Sequence, residues 1–359
     1  MALDRILLTT FRNHRETTLE GTTRFNLLVG DNGAGKTNVL EALSLFAPGR
    51  GLRRAQLADM AAQGGPGGFA VSADLAAESG PVRLGTGIAP ERPGRRIVHV
   101  NQADAPAVRL GEWLSIGWLT PAMDRLFMEG AGARRRFMDR LVLALDPGHA
   151  RQAARLEMAM RERNRLISDD SEPDPAWLDA LEAQVAEAGA AVGAGRAALV
   201  QRLCNALATL PQSPFARPDL AYVPGGPLDR DELAGALAES RRRDRAAGRT
   251  LVGPHRDELA VTMAGKGQPA AECSTGEQKA MLIAITLAHA GLLDTGRPAL
   301  LLLDEVAAHL DPLRREALFD RLRGGGAQVW LTGTEIAPFE AILADAAVWR
   351  VEGGAAARV

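Results

Sequence analysis

The segment Gly30-Asp31-Asn32-Gly33-Ala34-Gly35-Lys36-Thr37 fits the spacing G-x-x-x-x-G-K-[ST]. Residue types in that order suit the cradling of phosphates. Glycines let main-chain amides approach an anion, the lysine neutralises β and γ oxygens, and the following hydroxyl binds magnesium. Lys36 and Thr37 take those last two roles, and Asn38 continues the loop into a helix. The apolar run Leu300-Leu301-Leu302-Leu303 ends in the carboxylates of Asp304 and Glu305. Asp304 would support the magnesium, and Glu305 would polarise a water attacking the γ-phosphate. Ser274 is followed three residues later by Glu277. That capping box starts a helix and turns the positive end of its dipole toward an anion.

These groups need elements to hold them. Phe25, Leu27, Leu28 and Val29 precede the glycine loop, and Val39, Leu40, Leu43 and Phe46 follow it at helical spacing. The pattern predicts strand, loop and helix, the setting in which such a loop binds phosphate. Alternation at Phe69, Val71, Ala73 and Leu75, at Val82 and Leu84, and around Ile97, Val98 and Val100 predicts short strands of an antiparallel sheet. From about residue 130 the texture becomes helical, with a break at 169–175. The second helix carries a heptad-like seam of Leu178, Leu181, Val185, Ala188, Val192, Gly195 and Leu199, which fits either two antiparallel helices packed together or an amphipathic helix packed on an ordinary core. Residues 211–230 read as a loop, followed by a short helix to about 245. Strands near 259–263, 299–303, 328–331 and 347–351 and helices near 276–293 and 313–322 then restore an α/β texture. The expected division is therefore 1–125 and 249–359 as two parts of one α/β domain, with 126–248 as an inserted helical lobe.

Composition limits the function. At 359 residues, 46% hydrophobic and 24% charged, the chain is an ordinary globular one, not a disordered one. A formal charge of -2 excludes a uniformly positive surface, so any nucleic-acid contact is local. Cys204 and Cys273 form no C-x-x-C, and six scattered histidines lack zinc-ligand spacing, so a structural zinc is not expected. No run approaches the roughly 18 apolar residues of a membrane helix. The start Met-Ala-Leu-Asp-Arg resembles neither a signal nor a transit peptide. A cytoplasmic protein without a membrane partner is expected. The lysines are Lys36, Lys266 and Lys279, and the last two are preceded by Gly265 and Gln278. The N-K-x-D motif of guanine-specific enzymes is therefore excluded.

Local positive charge is present. Residues 134–165 hold nine arginines and four acids, and residues 241–256 hold six arginines and one acid. Arg134, Arg135, Arg136, Arg241, Arg242 and Arg243 are the candidate DNA contacts, the other reading of both runs being a solvated helix face in an arginine-rich chain. They would grip duplex phosphates without reading sequence. Aromatic residues make up 4% of the chain and do not interleave with these arginines, which disfavours base stacking. Arg12 is a separate candidate for the nucleotide site, or else an exposed arginine near an N-terminal strand.

The capping box, lying just before the Asp304 strand in a chain with a phosphate loop, resembles the signature motif of ABC-type ATPases. Asp311 in His309-Leu310-Asp311 resembles their D-loop. The resemblance extends from end to end to the RecF family of recombinational-repair ATPases. Phe11-Arg12-Asn13-His14 is similar to its F-R-N-Y opening, and 30–42 to its P-loop block. Arg134-Arg135-Arg136-Phe137-Met138-Asp139 is similar to R-R-x-F-L-D, Gly253-Pro254-His255-Arg256-Asp257 to G-P-H-R-D, and 303–311 to the Walker B and D-loop stretch. It implies an α/β, ABC-type P-loop ATPase head, with a mixed sheet, an antiparallel β subdomain and an inserted α-helical lobe. Ser274, Gly276 and Asp311 would contact nucleotide across an ATP-sandwich homodimer. The resemblance further implies a weak, DNA-stimulated ATPase that clamps gapped or junction DNA in repair, replication and the SOS response. RecR and RecO would be its partners, and RecA an indirect one.

Two departures stand out. The signature reads Ser-Thr-Gly-Glu-Gln, and Thr332-Gly333-Thr334 occupies the place where many ABC ATPases carry a switch histidine. Thr120-Pro121-Ala122-Met123-Asp124 sits where a Q-loop would be. The competing reading is the soluble ATPase subunit of an ABC transporter. Against it, Ser274 lies 238 positions after Lys36, across an arginine-rich helical block. An enzymatically silent scaffold is a third reading, under which Glu305→Gln changes nothing.

Overall fold

Phe25–Val29, the apolar strand before the glycine loop, is buried at every position and has sheet neighbours on both sides. The computed structural model describes residues 2–77, 80–169, 171, 173–211, 213–293 and 296–359. Chain contacts divide it into two units, the first comprising Met1–Met123, Pro211–Phe215 and Thr286–Val359.

Two six-stranded sheets form the first unit. In one, Ser115–Leu119, Ala299–Leu303, Gln328–Gly333, Phe25–Val29 and Ala346–Glu352 run parallel in that order, and Ala355–Arg358 closes the edge antiparallel. The first four strands are buried throughout, as apolar runs in a covered parallel sheet should be. The register sets Leu303 opposite Leu331 and Gly333 opposite Val29. Asp304, Thr332 and Gly30 therefore leave the same end of three adjacent strands, where open α/β sheets build their sites. The second sheet is antiparallel, running His14–Glu20, Leu3–Phe11, Phe69–Ala77, Gly80–Ile88, Ile97–Val100 and Ala103–Asp104. The last three long strands match the expected alternation. Leu3–Phe11, His14–Glu20, Ser115–Leu119 and Ala355–Arg358 were not anticipated.

The second unit, Asp124–Leu210 and Ala216–Ile285, contains Ala131–Leu145, His149–Ser168, Pro175–Thr209 and Arg230–Ala247. Asp174 caps the 35-residue helix by accepting a hydrogen bond from the Ala176 amide at 2.9 Å, with Pro175 at the favoured first position. That helix runs antiparallel to His149–Ser168, with Arg155 paired to Glu187 and Arg163 to Glu182. The expected seam is buried at Leu178, Leu181, Val185, Ala188, Val192 and Leu199. It is no two-helix coil, because Ala131–Leu145, Arg230–Ala247 and a β-strand pack on the same helix.

That strand, Pro218–Val223, corrects the loop expected over 211–230. It pairs antiparallel with Glu258–Met263, which is flanked in turn by Gln268–Pro269. An initial proline and an edge position hid it from a propensity reading. The pairing places Glu258–Met263 and Gln268–Pro269 in the same contact unit as the helices.

The G-P-H-R-D segment gains a structural account here. Asp257, almost fully buried, accepts hydrogen bonds from Arg196 at 2.8 Å, Tyr222 at 2.6 Å and the Gly225 amide at 2.8 Å. Arg196 also binds Asp139 through two 2.8 Å bonds, and Arg135 donates to the Asp257 carbonyl. The R-R-x-F-L-D and G-P-H-R-D segments thus form one internal ion network. Burial and the neighbouring Asp257 carboxylate hold the Tyr222 phenol far above its usual range.

Candidate nucleotide site

The helix Lys36–Ser44 starts at Gly35, which has φ 117° and no side-chain cap. Among the described residues no side chain caps the start of that helix, which suits an anion. Lys36 is 4% exposed, and its ammonium donates to the carbonyls of Gly30 at 2.6 Å and Asp31 at 2.9 Å. The loop therefore folds around the lysine and leaves its third proton unassigned. Gly30 is required by space: at φ 156° an added Cβ would lie 2.1 Å from the Val351 carbonyl oxygen. Gly30→Ala should cost about 2–4 kcal/mol in chemical denaturation, from the strained dihedral and the clash together.

Asp304 completes the centre. It is 5% exposed, and its Oδ1 accepts hydrogen bonds from the Thr37 hydroxyl at 2.9 Å and the Thr332 hydroxyl at 2.8 Å. Burial pushes its carboxyl above the usual aspartate range, while the two hydroxyls pull it back. Glu305 follows with φ 53°, an uncommon left-handed backbone for a non-glycine residue, and its amide donates to Thr332 Oγ1 at 2.9 Å. The Asp304 amide donates to Leu119, just before the Thr120 segment, so that segment leaves the sheet beside Asp304.

Arg12 does not stand free beside this site. Its guanidinium makes two bonds of 2.8 and 2.7 Å to Glu41, a fully buried carboxylate on the Lys36–Ser44 helix, and a third to the Asp59 carbonyl. Arg53 reaches the same Glu41 at 3.0 Å and Asn38 at 2.6 Å, and its charge helps to lower the Asp304 carboxyl. Asn38 donates to Asn13, which donates to the Ala34 carbonyl, while His14 Nε2 lies 3.1 Å from the Gly35 carbonyl. Burial holds the His14 imidazole below its ordinary value. The 11–14 turn thus braces the phosphate loop. Glu41 and Arg53 carry no sequence signal beyond their nearness to the glycine loop, and Thr332, noted in sequence for its place at the switch position, gains its contact with Asp304 only in the fold.

Ser274 and Gly276 belong to the second unit. The capping box has formed: the Ser274 amide and hydroxyl donate to Glu277 Oε2 at 3.0 and 2.9 Å, and the Glu277 amide donates to Ser274 Oγ at 3.4 Å. Lys266 at 2.6 Å and these bonds hold the Glu277 carboxyl down at about 2. A Cβ at Gly276 would meet nothing within 4 Å, so the fold does not itself demand glycine there. Asp311, in the first unit, caps Pro312–Gly324 by accepting from the Arg314 amide at 2.9 Å.

The candidate DNA arginines divide by environment. Arg134 binds Glu258 through bonds of 2.6 and 2.7 Å, and Arg135 donates to the Asp257 carbonyl at 2.9 Å. Arg241 is paired with Glu182 and Asp179. Arg136, Arg242 and Arg243 are exposed.

The model of the RecF/RecN/SMC N terminal domain matches residues 2–346. The chain is 48% identical over 366 residues to the DNA replication and repair protein RecF of Mesorhizobium japonicum, covering 98% of this chain and 96% of that one. It is 46% identical over 367 residues to the protein of that name from Rhizobium leguminosarum, covering 99% and 98%. Among solved structures, the recombination mediator protein RecF-ATPrS in the RecFOR pathway matches with a TM-score of 0.87 at 22% identity, over 100% of this chain and 99% of that one. The Smc head domain of Pyrococcus furiosus matches at 0.54 and 15% identity, over 100% and 96%. The two structures establish a common fold, the ABC-type head, and identity to the curated relatives runs along nearly the whole chain, so the chain belongs to the RecF family.

Proposed function

We propose that the chain is an ATP-dependent DNA-binding protein of recombinational repair and replication restart. ATP joins two copies around DNA, and slow hydrolysis releases them. The observation that carries this reading is the meeting of Thr37, Asp304 and Lys36 at the uncapped start of one helix. A hydroxyl and a carboxylate 2.9 Å apart are hard oxygen donors, which fit magnesium. When bound, that ion would offset phosphate charge.

The protein's own groups would do the rest. The Lys36 ammonium binds the β and γ oxygens, the first helix amides orient the chain of phosphates, and Glu305 takes up the proton of an attacking water. Asp31, Asn32, Gly33, Ala34 and Asn38 line the loop, and Arg12 acts through Glu41. In the dimer, Ser274, Gly276 and Asp311 of a second copy would meet the nucleotide. The Ser274 hydroxyl would then exchange its bond to Glu277 for one to phosphate.

DNA binding is assigned to the exposed Arg136, Arg242 and Arg243, with Arg134, Arg135 and Arg241 shaping the surface around them. A relative is described as a recombination mediator in the RecFOR pathway, which supports RecO and RecR as partners and RecA as the protein ultimately loaded at gaps or junctions. Among the described residues no helix is long and apolar enough to cross a membrane. A cytoplasmic repair role fits the chain better than a transporter subunit.

Light scattering tests the dimer. Glu305→Gln with ATP and magnesium should run at twice the monomer mass, and Lys36→Ala should not. An unchanged mass for Glu305→Gln under saturating ATP would contradict the sandwich. Arg242→Glu with Arg243→Glu should weaken DNA binding about tenfold or more and flatten its salt dependence by about two contacts.

A further inference from the structure

We infer that Thr332 is a positioning residue for hydrolysis, its single hydroxyl fixing the Asp304 carboxylate and the Glu305 main chain in one arrangement. The inference rests on the nucleotide reading above and extends it to a residue at the place where ABC ATPases often carry histidine.

Thr332 is 1% exposed on the buried strand Gln328–Gly333. Its hydroxyl is used in both senses, donating to Asp304 Oδ1 at 2.8 Å and accepting from the Glu305 amide at 2.9 Å. A hydroxyl is one of few groups that can do both from so short a side chain. Its β-branch limits the rotation that would break either bond. Both hydroxyl contacts of Asp304, from Thr37 and Thr332, fall on Oδ1, which fixes the plane of the carboxylate.

The second bond acts on Glu305. That residue holds φ 53°, a conformation that non-glycine residues keep only where the surroundings enforce it. The bond from its amide to Thr332 supplies that enforcement, and it ties the proposed water-polarising residue to the adjacent strand. Without it the Asp304-Glu305 turn could relax toward an ordinary backbone and move the Glu305 carboxylate away from its task. Binding of ATP, which depends on Lys36 and the loop amides, would be largely untouched.

The test compares Thr332→Val, which keeps shape and loses both bonds, with Thr332→Ser, which keeps the hydroxyl. Thr332→Val should lower kcat for ATP about tenfold or more and change nucleotide affinity less than about threefold, and Thr332→Ser should restore kcat to within about threefold. Wild-type kcat in a folded Thr332→Val protein would overturn the inference. So would a Thr332→Ser protein as slow as Thr332→Val. If Thr332→Val does not fold, Thr332→Ala against Thr332→Ser carries the same comparison. Lys36→Ala runs alongside: if the wild type turns over no faster than it, the nucleotide reading itself fails and the role of Thr332 with it.

Discussion

Replacing Lys36 by alanine is expected to lower ATP turnover by about 10²–10³-fold, the usual cost of removing one charged group that meets the transferring phosphoryl. The ammonium is nearly buried and already aimed by the Gly30 and Asp31 carbonyls, so little side-chain order is lost when phosphate arrives. Removing it should leave the fold intact. The Gly30 amide still donates to Gly333 and the Ala34 amide to Asp31, so the loop keeps its anchors. Steady-state turnover and equilibrium nucleotide binding, with thermal unfolding as the control, check this. Turnover within about twofold of wild type in a folded protein would remove Lys36 from the chemistry.

The second large effect concerns stability. Arg163 is fully buried in the second unit, where its guanidinium binds Glu182 at 2.9 Å, Asp244 and Thr250 at 2.7 Å each, and the Leu237 carbonyl at 3.1 Å. Arg163→Met should destabilise that unit by about 3–5 kcal/mol, because buried carboxylates lose their counter-charge. Glu182 would keep Arg241, whereas among the described residues the Asp244 carboxylate would keep the Ser240 hydroxyl and the Leu251 amide, neither of them charged. The effect should therefore be carried mainly by Asp244. Adding Asp244→Leu to Arg163→Met should recover part of the loss, since two apolar side chains avoid the stranded charge. Calorimetry on the three proteins decides: a melting temperature for Arg163→Met within a degree or two of wild type would show that the cluster contributes little.

Arg163 also shows where sequence reading stops. Counted along the chain, it belongs to a positive run over 134–165 that invites a DNA reading. In space it is internal, and Arg134 of the same run is met by Glu258, 124 residues away. Charge counts do not reveal such partners, because pairing is set by tertiary neighbours. The phosphate loop was legible for the opposite reason: its strand, glycines, lysine and helix lie within about two dozen residues, and each obeys a local rule. Leu300 to Glu305 was legible through that loop: alone, four leucines before two acids read nearly as well as a core strand ending in a solvated turn, and beside a phosphate loop they do not. Thr332 was not. Its meeting with Asp304 follows from the register between Ala299–Leu303 and Gln328–Gly333, which no local signal sets. The strand Pro218–Val223 was missed for a related reason, because its partner Glu258–Met263 lies beyond a helix in sequence.

Under the proposed function, nucleotide held at Lys36, Thr37 and Asp304 governs DNA binding. Fluorescence anisotropy of a gapped duplex titrated with the Glu305→Gln protein, with ATP and magnesium and then without nucleotide, at two salt concentrations, tests it most directly. Tight binding is expected only with ATP, weakening steeply as salt rises. Equal binding in both nucleotide states, or none in either, from a protein shown to bind ATP would contradict it.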